Sequence, residues 1–149
     1  MITKFFTALS WISLILALIV FIISYASYPD DVLVYINSLG EPQLYLDRNS
    51  LFYGLLAIII IFNLGWLTLG GIVKKSNPDQ DLTPIGISLS QIFFNSFFAT
   101  SVYFISILNS RENFNYSNFG YLIYVTGGLL IAALIFTVIT RFLRKVVLN

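Results

Sequence analysis

Four long segments of this chain contain no charged residue. They run from Phe5 to Pro29, Asn49 to Val73, Leu82 to Ser110 and Asn113 to Thr140, and together they hold 107 of the 149 positions. Each is longer than the roughly 20 residues that a helix needs to cross about 30 Å of hydrocarbon. A helix at the surface of a water-soluble bundle would carry charges on its outward face, and these segments have none.

The segments therefore predict an all-α membrane protein, a four-transmembrane-helix bundle that forms a single domain over 1–149. We expect its helices at about 5–26, 50–73, 84–108 and 119–142. The longest connection is an outer loop over about 27–49, between helices 1 and 2, which we expect to be partly extended. The lipid bilayer is then the first partner of the chain.

Basic residues predict how the chain is oriented in the membrane. Lys4, Lys74, Lys75, Arg141, Arg144 and Lys145 fall on one side of the four-pass arrangement, and Arg48 and Arg111 fall on the other. By the positive-inside rule, both termini face the cytoplasm. All nine tyrosines fall in the outer half, as in an interfacial aromatic belt, whereas Trp11 and Trp66 fall in the inner half.

The residue types that the chain lacks argue against several classes of function. It has no histidine and no cysteine, which argues against haem ligation by His, thiolate metal sites and His-based proton relays. No charged residue lies inside any of the four apolar segments, whereas charge-coupled carriers usually keep one within the membrane. The net charge of +1 also argues against nucleic-acid binding. We therefore expect a non-enzymatic protein with no cofactor, no metal and no nucleic-acid partner.

Polar residues within the third predicted helix recur at three- and four-residue steps, so they share one face that we expect to turn inward. This face comprises Ser88, Gln91, Asn95, Ala99, Val102 and Ser106. Asn63 in the second helix lies at a similar depth to Asn95, because the two are equally far from the connection between their helices. We predict helix–helix polar contacts through Asn63, Gln91 and Asn95, with a hydrogen bond between Asn63 and Asn95. The alternative is that each bonds its own backbone or a serine elsewhere.

The outer loop has the pattern of a small hairpin. Residues 32–36 form a β-branched and aromatic run, residues 37–40 are turn formers, and residues 43–46 form a second strand-like run. Pro29 can end the first helix, Asn37 and Gly40 suit a turn that needs positive φ, and Arg48 can anchor at the headgroups. The apolar residues of this loop must pack on the bundle or on a partner.

Eight positions of the loop follow the spacing of a Pro-Asp…Asn-x-x-Gly-x-Pro signature. They are Pro29, Asp30, Val32, Asn37, Gly40, Pro42, Tyr45 and Arg48. The stretch resembles the signature loop of a bacterial integral-membrane family of unknown function, whose domain also occurs in SdpI-like toxin-immunity proteins. This chain has Tyr35 at the usual His, Ile36 at the usual Phe and Arg48 for the closing Lys. The resemblance implies a multi-pass protein of the bacterial cytoplasmic (inner) membrane, and for most members it implies no known activity.

Three functional hypotheses follow from these patterns. In the first, the protein acts in envelope sensing or toxin immunity through an outer-loop surface comprising Pro29, Asp30, Val32, Tyr35, Asn37, Gly40, Pro42, Tyr45 and Arg48. In the second, it is an accessory or structural subunit of a larger membrane complex, with membrane-protein partners or a homo-oligomer. In the third, it is a small carrier or lipid-handling protein with a polar path along Ser88, Gln91 and Asn95.

Overall fold

The computed structural model describes residues 2–37, 40–76, 82–110 and 117–147. Its helices are α1 (Ile2–Ser27), α2 (Arg48–Ser76), α3 (Leu82–Leu108) and α4 (Ser117–Val147), and its strands are β1 (Asp31–Ile36) and β2 (Pro42–Asp47). All four helices contain spans that are long and apolar enough to cross a membrane. The predicted all-α fold with four transmembrane helices is confirmed, and the chain is a multi-pass membrane protein.

The helices extend further than the predicted spans at the end of the bundle where α1 begins and α4 ends. α1 begins at Ile2, α2 continues through Lys74 and Lys75 to Ser76, and α4 continues to Val147. The prediction followed the apolar residues, but a helix can continue past the hydrocarbon because lysine and arginine extend their charged ends to water. We call this end of the bundle the open end, and the end that carries β1 and β2 the hairpin end.

α3 is the central helix of the bundle. Within the described ranges it packs against α1, α2 and α4, whereas α4 contacts no other helix and α1 and α2 touch only sparsely. α3 and α4 approach closely, since a Cβ added at Gly86 would lie 2.6 Å from Thr137 Oγ1. The hydroxyl oxygens of Thr100 and Thr126 are 3.1 Å apart across the same interface. Small and hydroxyl-bearing residues of this kind are the usual means of close helix packing in membranes.

The apolar core lies in the half of the bundle nearer the hairpin end. Ala17 and Phe21 of α1, Ile59 of α2, and Phe98 and Val102 of α3 form one buried cluster. Phe21 also stacks on Phe52 of α2, with ring centroids 5.1 Å apart. This cluster holds α1, α2 and α3 together and fills the space between them at this level.

The outer loop forms an antiparallel hairpin, in which Asp31 pairs with Asp47, Leu33 with Tyr45 and Ile36 with Pro42. Its turn uses Gly40, which has a φ of 81°. No residue other than glycine has positive φ in the described part of the chain, so the expected positive φ at Asn37 is wrong. Asn37 instead holds the turn by hydrogen bonds, because its Oδ1 accepts from the Glu41 N–H at 2.9 Å and its carbonyl accepts from the Gly40 N–H at 3.0 Å.

One strand of the hairpin packs on the bundle, and the other does not. Val32 of β1 is fully buried, in a cluster with Tyr28 and Leu51. Burial raises the pKa of Tyr28, so its hydroxyl stays protonated and donates to the Val102 carbonyl at 2.9 Å. All six residues of β2 are exposed. The bundle therefore covers Val32 of β1, whereas Tyr35 of β1 and the apolar residues of β2 remain exposed.

Candidate functional site

A chain of buried amides crosses the middle of the bundle. Asn63 Nδ2 donates to Asn95 Oδ1 at 2.9 Å, and Gln91 Nε2 donates to Asn63 Oδ1 at 2.9 Å. Asn95 Nδ2 donates in turn to Ser13 Oγ at 3.0 Å, which links α1 to α2 and α3. Asn63 Nδ2 also donates to the Ile59 carbonyl at 2.8 Å, so the helix-to-helix bond and the bond to its own backbone coexist. We call these four polar side chains, at 13, 63, 91 and 95, the amide network.

A cavity of about 630 Å³ opens on the side of the amide network that faces the open end. Its walls come from α1, α2 and α3, including Thr7, Ser10 and Trp11, then Trp66, Gly70 and Gly71, and finally Ile87, Ser88 and Gln91. Lys4 and Lys74 line it as well. Eight residues separate Trp66 from Lys74, so at 1.5 Å per residue the cavity reaches roughly 12 Å along the helix axis.

The cavity exists because α1 and α2 separate toward the open end. The aromatic contacts between these helices involve Phe21, Tyr25 and Phe52, all at the hairpin end. At the open end, Gly70 and Gly71 of α2 line the cavity instead. The sparse contact between α1 and α2 leaves room for the cavity between these two helices and α3.

The cavity is blind at its inner end. Gln91 lines it, but Asn95, one turn further along α3, is only 1% exposed and does not line it. Beyond Asn95 the apolar core, which includes Phe98, Val102 and Phe21, fills the space. The predicted polar path along Ser88, Gln91 and Asn95 thus exists as a face of α3, but only its first part borders open space.

The inner wall of the cavity carries a polar group that protein atoms leave unsatisfied. The indole Nε1 of Trp66 is buried and has no hydrogen-bond acceptor among the described residues. Gln91 of the same wall donates through Nε2 to Asn63 Oδ1. A buried donor without a partner is rare and costs roughly 1–3 kcal/mol, which an acceptor supplied by a bound molecule or water would recover.

The charge at the cavity is positive. Lys4 of α1 and Lys74 of α2 both line it, and none of its described lining residues is acidic. Neither lysine forms an ion pair within the described part of the chain. Two ammonium groups beside an apolar cleft, with no carboxylate among the described residues that line it, favour an anionic ligand group.

The loop residues singled out in the sequence have mainly structural roles. Pro29 follows the end of α1, the Asp30 carbonyl accepts from the Arg48 N–H at 2.9 Å, and Val32 is buried. Arg48 lies over the Tyr25 ring, with its guanidinium carbon 4.7 Å from the ring centroid. Asn37 and Gly40 form the turn, and Pro42 begins β2. Of the nine, Tyr35 and Tyr45 present large exposed side chains.

Sequence reasoning missed the cavity and most of its residues. It placed Trp11 and Trp66 in the inner half of the membrane but drew no site from them, although tryptophan at an otherwise apolar position needs a partner for its N–H. It also assigned Lys4 and Lys74 to topology alone. The separation of α1 and α2 cannot be inferred from either helix by itself, because both are apolar around their whole circumference.

Comparison with protein-family models, with curated proteins and with solved structures finds no match. The site must therefore be interpreted from its own geometry. The described residues contain no group of three or more His, Cys, Asp or Glu that could hold a metal ion. What the fold defines is a multi-pass membrane protein with a blind cavity, lined by two lysines, on one side of a buried amide network.

Proposed function

We propose that this protein is a non-enzymatic, membrane-embedded binding protein that takes an amphipathic molecule with an anionic headgroup from one leaflet of the bilayer. The observation that carries the proposal is the unsatisfied Trp66 N–H in the wall of the cavity between α1, α2 and α3. A ligand oxygen inside the cavity would accept this hydrogen bond. The cavity volume of about 630 Å³ lies within the range of small-molecule sites.

The class of ligand follows from the two kinds of residue that line the cavity, apolar and basic. Ile87, Leu67 and Trp11 suit a hydrocarbon chain, while Lys4 and Lys74 suit a phosphate or carboxylate at the depth of the headgroups. Because α1 and α2 touch only sparsely, such a molecule would enter between them without leaving the membrane. Basic pockets between transmembrane helices commonly bind anionic lipid headgroups in this way.

The proposed location is the inner leaflet of a bacterial cytoplasmic membrane, with both termini in the cytoplasm. Lys4, Lys74, Lys75 and Arg141 all lie at the open end of the described chain, and the positive-inside rule assigns such an end to the cytoplasm. The hairpin then faces the outside. Anionic lipids of the cytoplasmic leaflet would concentrate at the cavity for the same electrostatic reason.

The geometry favours binding in the cavity over three other functions. A sensing or immunity role through the hairpin would depend on few residues, because most of the loop positions that match the signature hold the hairpin in place. A carrier role would need a path beyond Asn95, where the apolar core fills the bundle. A purely structural role would leave the cavity and its unpartnered Trp66 N–H unexplained.

Lipid retention measured by native mass spectrometry tests the proposal. The protein would be purified in mild detergent and titrated with phosphatidylglycerol or phosphatidylcholine as the probe. We expect one phosphatidylglycerol to remain bound under conditions that remove phosphatidylcholine. The double variant Lys4→Gln/Lys74→Gln should lose this preference, because it removes both positive charges at the cavity.

A matched pair of glycine variants assigns the binding to the cavity. A Cβ at Gly71, which lines the cavity, or at Gly54, which lies elsewhere on α2, meets no atom within 4 Å. Gly71→Phe should therefore fill the cavity and weaken retention by about tenfold or more, equivalent to roughly 1.4 kcal/mol, while Gly54→Phe should not. The proposal would be overturned if the protein retained phosphatidylglycerol and phosphatidylcholine equally, or if Gly71→Phe and Gly54→Phe retained phosphatidylglycerol equally.

A further inference from the structure

The two outer edges of the β-hairpin differ in their hydrogen bonding. At the outer edge of β1, the Leu33 N–H donates to Asn109 Oδ1 at 2.8 Å, and Asn109 Nδ2 donates to the Leu33 carbonyl at 2.9 Å. The Asn109 amide thus occupies the place of a neighbouring strand. Within the described ranges the outer edge of β2 has no such cover, and all six of its residues are exposed. An open strand edge is a ready site for pairing with another strand.

The pairing pattern identifies which backbone groups face the open edge. In an antiparallel pair of strands, residues that lie opposite each other alternate between two arrangements. In one, the two residues exchange N–H···O=C hydrogen bonds; in the other, their N–H and C=O groups point away from each other. Leu33 points its N–H and C=O away from β2, toward Asn109, so its partner Tyr45 points the same groups away from β1. The bond from the Arg48 N–H to the Asp30 carbonyl, three residues from this pair, agrees with the same alternation. Tyr45 therefore presents a free donor and a free acceptor at the open edge.

The β2 strand is complementary to a second copy of itself. If two β2 strands pair antiparallel about Tyr45, each Tyr45 lies opposite the Tyr45 of the second copy and can exchange two hydrogen bonds with it. Leu44 then lies opposite Leu46, and Gln43 lies opposite Asp47. The single acidic residue of the strand thus meets a neutral amide, and no like charges oppose each other.

The symmetry of this pairing is compatible with a membrane. Antiparallel pairing of identical strands has a twofold axis perpendicular to the sheet. Val32 packs in a cluster with Tyr28 and Leu51 of the bundle, and its partner Leu46 lies on the same face of the hairpin. The twofold axis keeps this face on one side of the paired sheet in both copies, so both bundles lie on that side and both copies cross the membrane in the same direction.

We infer that two copies of this chain associate through antiparallel pairing of their β2 strands, which turns two hairpins into one four-stranded sheet over the hairpin end. The occupant of the open edge is thus a second copy of the protein. A two-stranded hairpin alone is marginally stable, and sheets of three or more strands are markedly more stable. This inference does not depend on the proposed lipid binding.

Single-cysteine cross-linking tests the register, because the chain contains no cysteine of its own. Tyr45→Cys would place two thiols at the twofold axis with Cα atoms about 5.5 Å apart, within the range for a disulfide. Leu44→Cys and Leu46→Cys should each cross-link poorly alone, since identical positions then lie about 7–8 Å apart. The two variants mixed in one membrane should cross-link with each other.

Tyr35→Cys is the control, because Tyr35 is about as exposed as Tyr45 but lies on β1. Under mild oxidation of membranes, we expect Tyr45→Cys to form a dimer about tenfold faster than Tyr35→Cys, in keeping with the steep distance dependence of disulfide formation. Native mass spectrometry of the unmodified chain should show the dimer as well. The inference would be overturned if Tyr35→Cys and Tyr45→Cys formed cross-linked dimers at equal rates. It would also be overturned if mixing Leu44→Cys with Leu46→Cys did not increase cross-linking, or if native mass spectrometry showed a monomer.

Discussion

The amide network shows how a few polar side chains can define the interior of an apolar bundle. Asn63 and Asn95 are 4% and 1% exposed, and each would be costly to bury in hydrocarbon without a partner. Their hydrogen bonds with Gln91 and Ser13 satisfy them by joining three helices. The network therefore fixes the relative position of α1, α2 and α3 at the floor of the cavity.

Replacing Asn95 should destabilise the bundle. Asn95→Leu removes the bonds to Asn63 and Ser13 and leaves the Asn63 amide with an unused N–H, so we expect a loss of roughly 1–2 kcal/mol in the free energy of unfolding. Reversible unfolding in mixed micelles would measure it. Thr68→Val is the control, because the exposed Thr68 hydroxyl bonds only within its own helix, to the Leu64 carbonyl. An unchanged stability in Asn95→Leu would contradict the role given to the network.

Asp47 makes the start of α2 sensitive to pH. The Ser50 N–H donates to Asp47 Oδ2 at 2.8 Å and the Ser50 hydroxyl donates at 3.1 Å, and these bonds hold the pKa of the Asp47 carboxyl below its ordinary value. The stabilisation is present above the ordinary aspartate pKa and is lost as the pH falls through the lowered one. Asp47→Asn keeps an acceptor oxygen but does not titrate.

We therefore expect the melting temperature of the unmodified protein to fall more than that of Asp47→Asn as the pH falls through the range below the ordinary aspartate pKa. Circular dichroism melts of both proteins in the same detergent would measure the difference. Above that range the two should melt similarly, because an asparagine is an equally good cap. If the melting temperatures of the unmodified protein and of Asp47→Asn fell in parallel with pH, the Asp47 carboxylate would not be the group that titrates.

At the scale of elements, the hairpin depends on a residue far away in the sequence. Asn109 lies just beyond α3 and is 76 residues from Leu33, yet its side chain supplies the edge partner of β1. Asn109→Leu should free the Leu33 amide, so hydrogen exchange of β1 should accelerate while the helices keep their protection. Ser110→Ala is the control, since the Ser110 hydroxyl bonds only to the Ile107 carbonyl in its own turn. Unchanged exchange in Asn109→Leu would contradict this contact.

Each element could be predicted from its own residues, but the contacts between elements could not. The apolar spans predicted four helices, and the β-branched run at 32–36 predicted β1, because those signals are local. The Asn63–Asn95 bond also followed from equal depth in two adjacent helices. Asn109 gave no signal, because pairing across 76 residues depends on where α3 ends relative to the hairpin. The separation of α1 and α2 depends in the same way on how both pack on α3.

The interface between α3 and α4 has little tolerance for added atoms. A Cβ at Gly86 would lie 3.2 Å from the Thr137 Cα as well as 2.6 Å from its hydroxyl, so α4 would have to move. Gly86→Val should destabilise the protein by about 1–3 kcal/mol, as overpacking commonly does. Gly120→Val is the control, because a Cβ at Gly120 meets no atom within 4 Å. Unfolding in mixed micelles would compare them, and equal stability would argue against this close approach.

At the scale of the whole molecule, the bundle is closed at one end and open at the other. The apolar core and the docked hairpin close the hairpin end, while α1 and α2 separate around a polar cavity at the open end. α3 contributes to both halves, which explains why it is the most buried helix. A bundle built only to span the membrane would gain more from filling the cavity with apolar side chains. The open half is thus the part of the molecule most directly suited to binding.

Fluorescence of Trp66 tests the central claim, that lipid with an anionic headgroup enters the cavity. The chain has two tryptophans, so Trp11→Phe leaves Trp66 as the only one, in the cavity wall. In nanodiscs, brominated phosphatidylglycerol should quench Trp66 more strongly than the same fraction of brominated phosphatidylcholine. Adding Gly71→Phe should abolish this difference, and adding Gly54→Phe should preserve it. Equal quenching by the two lipids, unaffected by Gly71→Phe, would contradict the account.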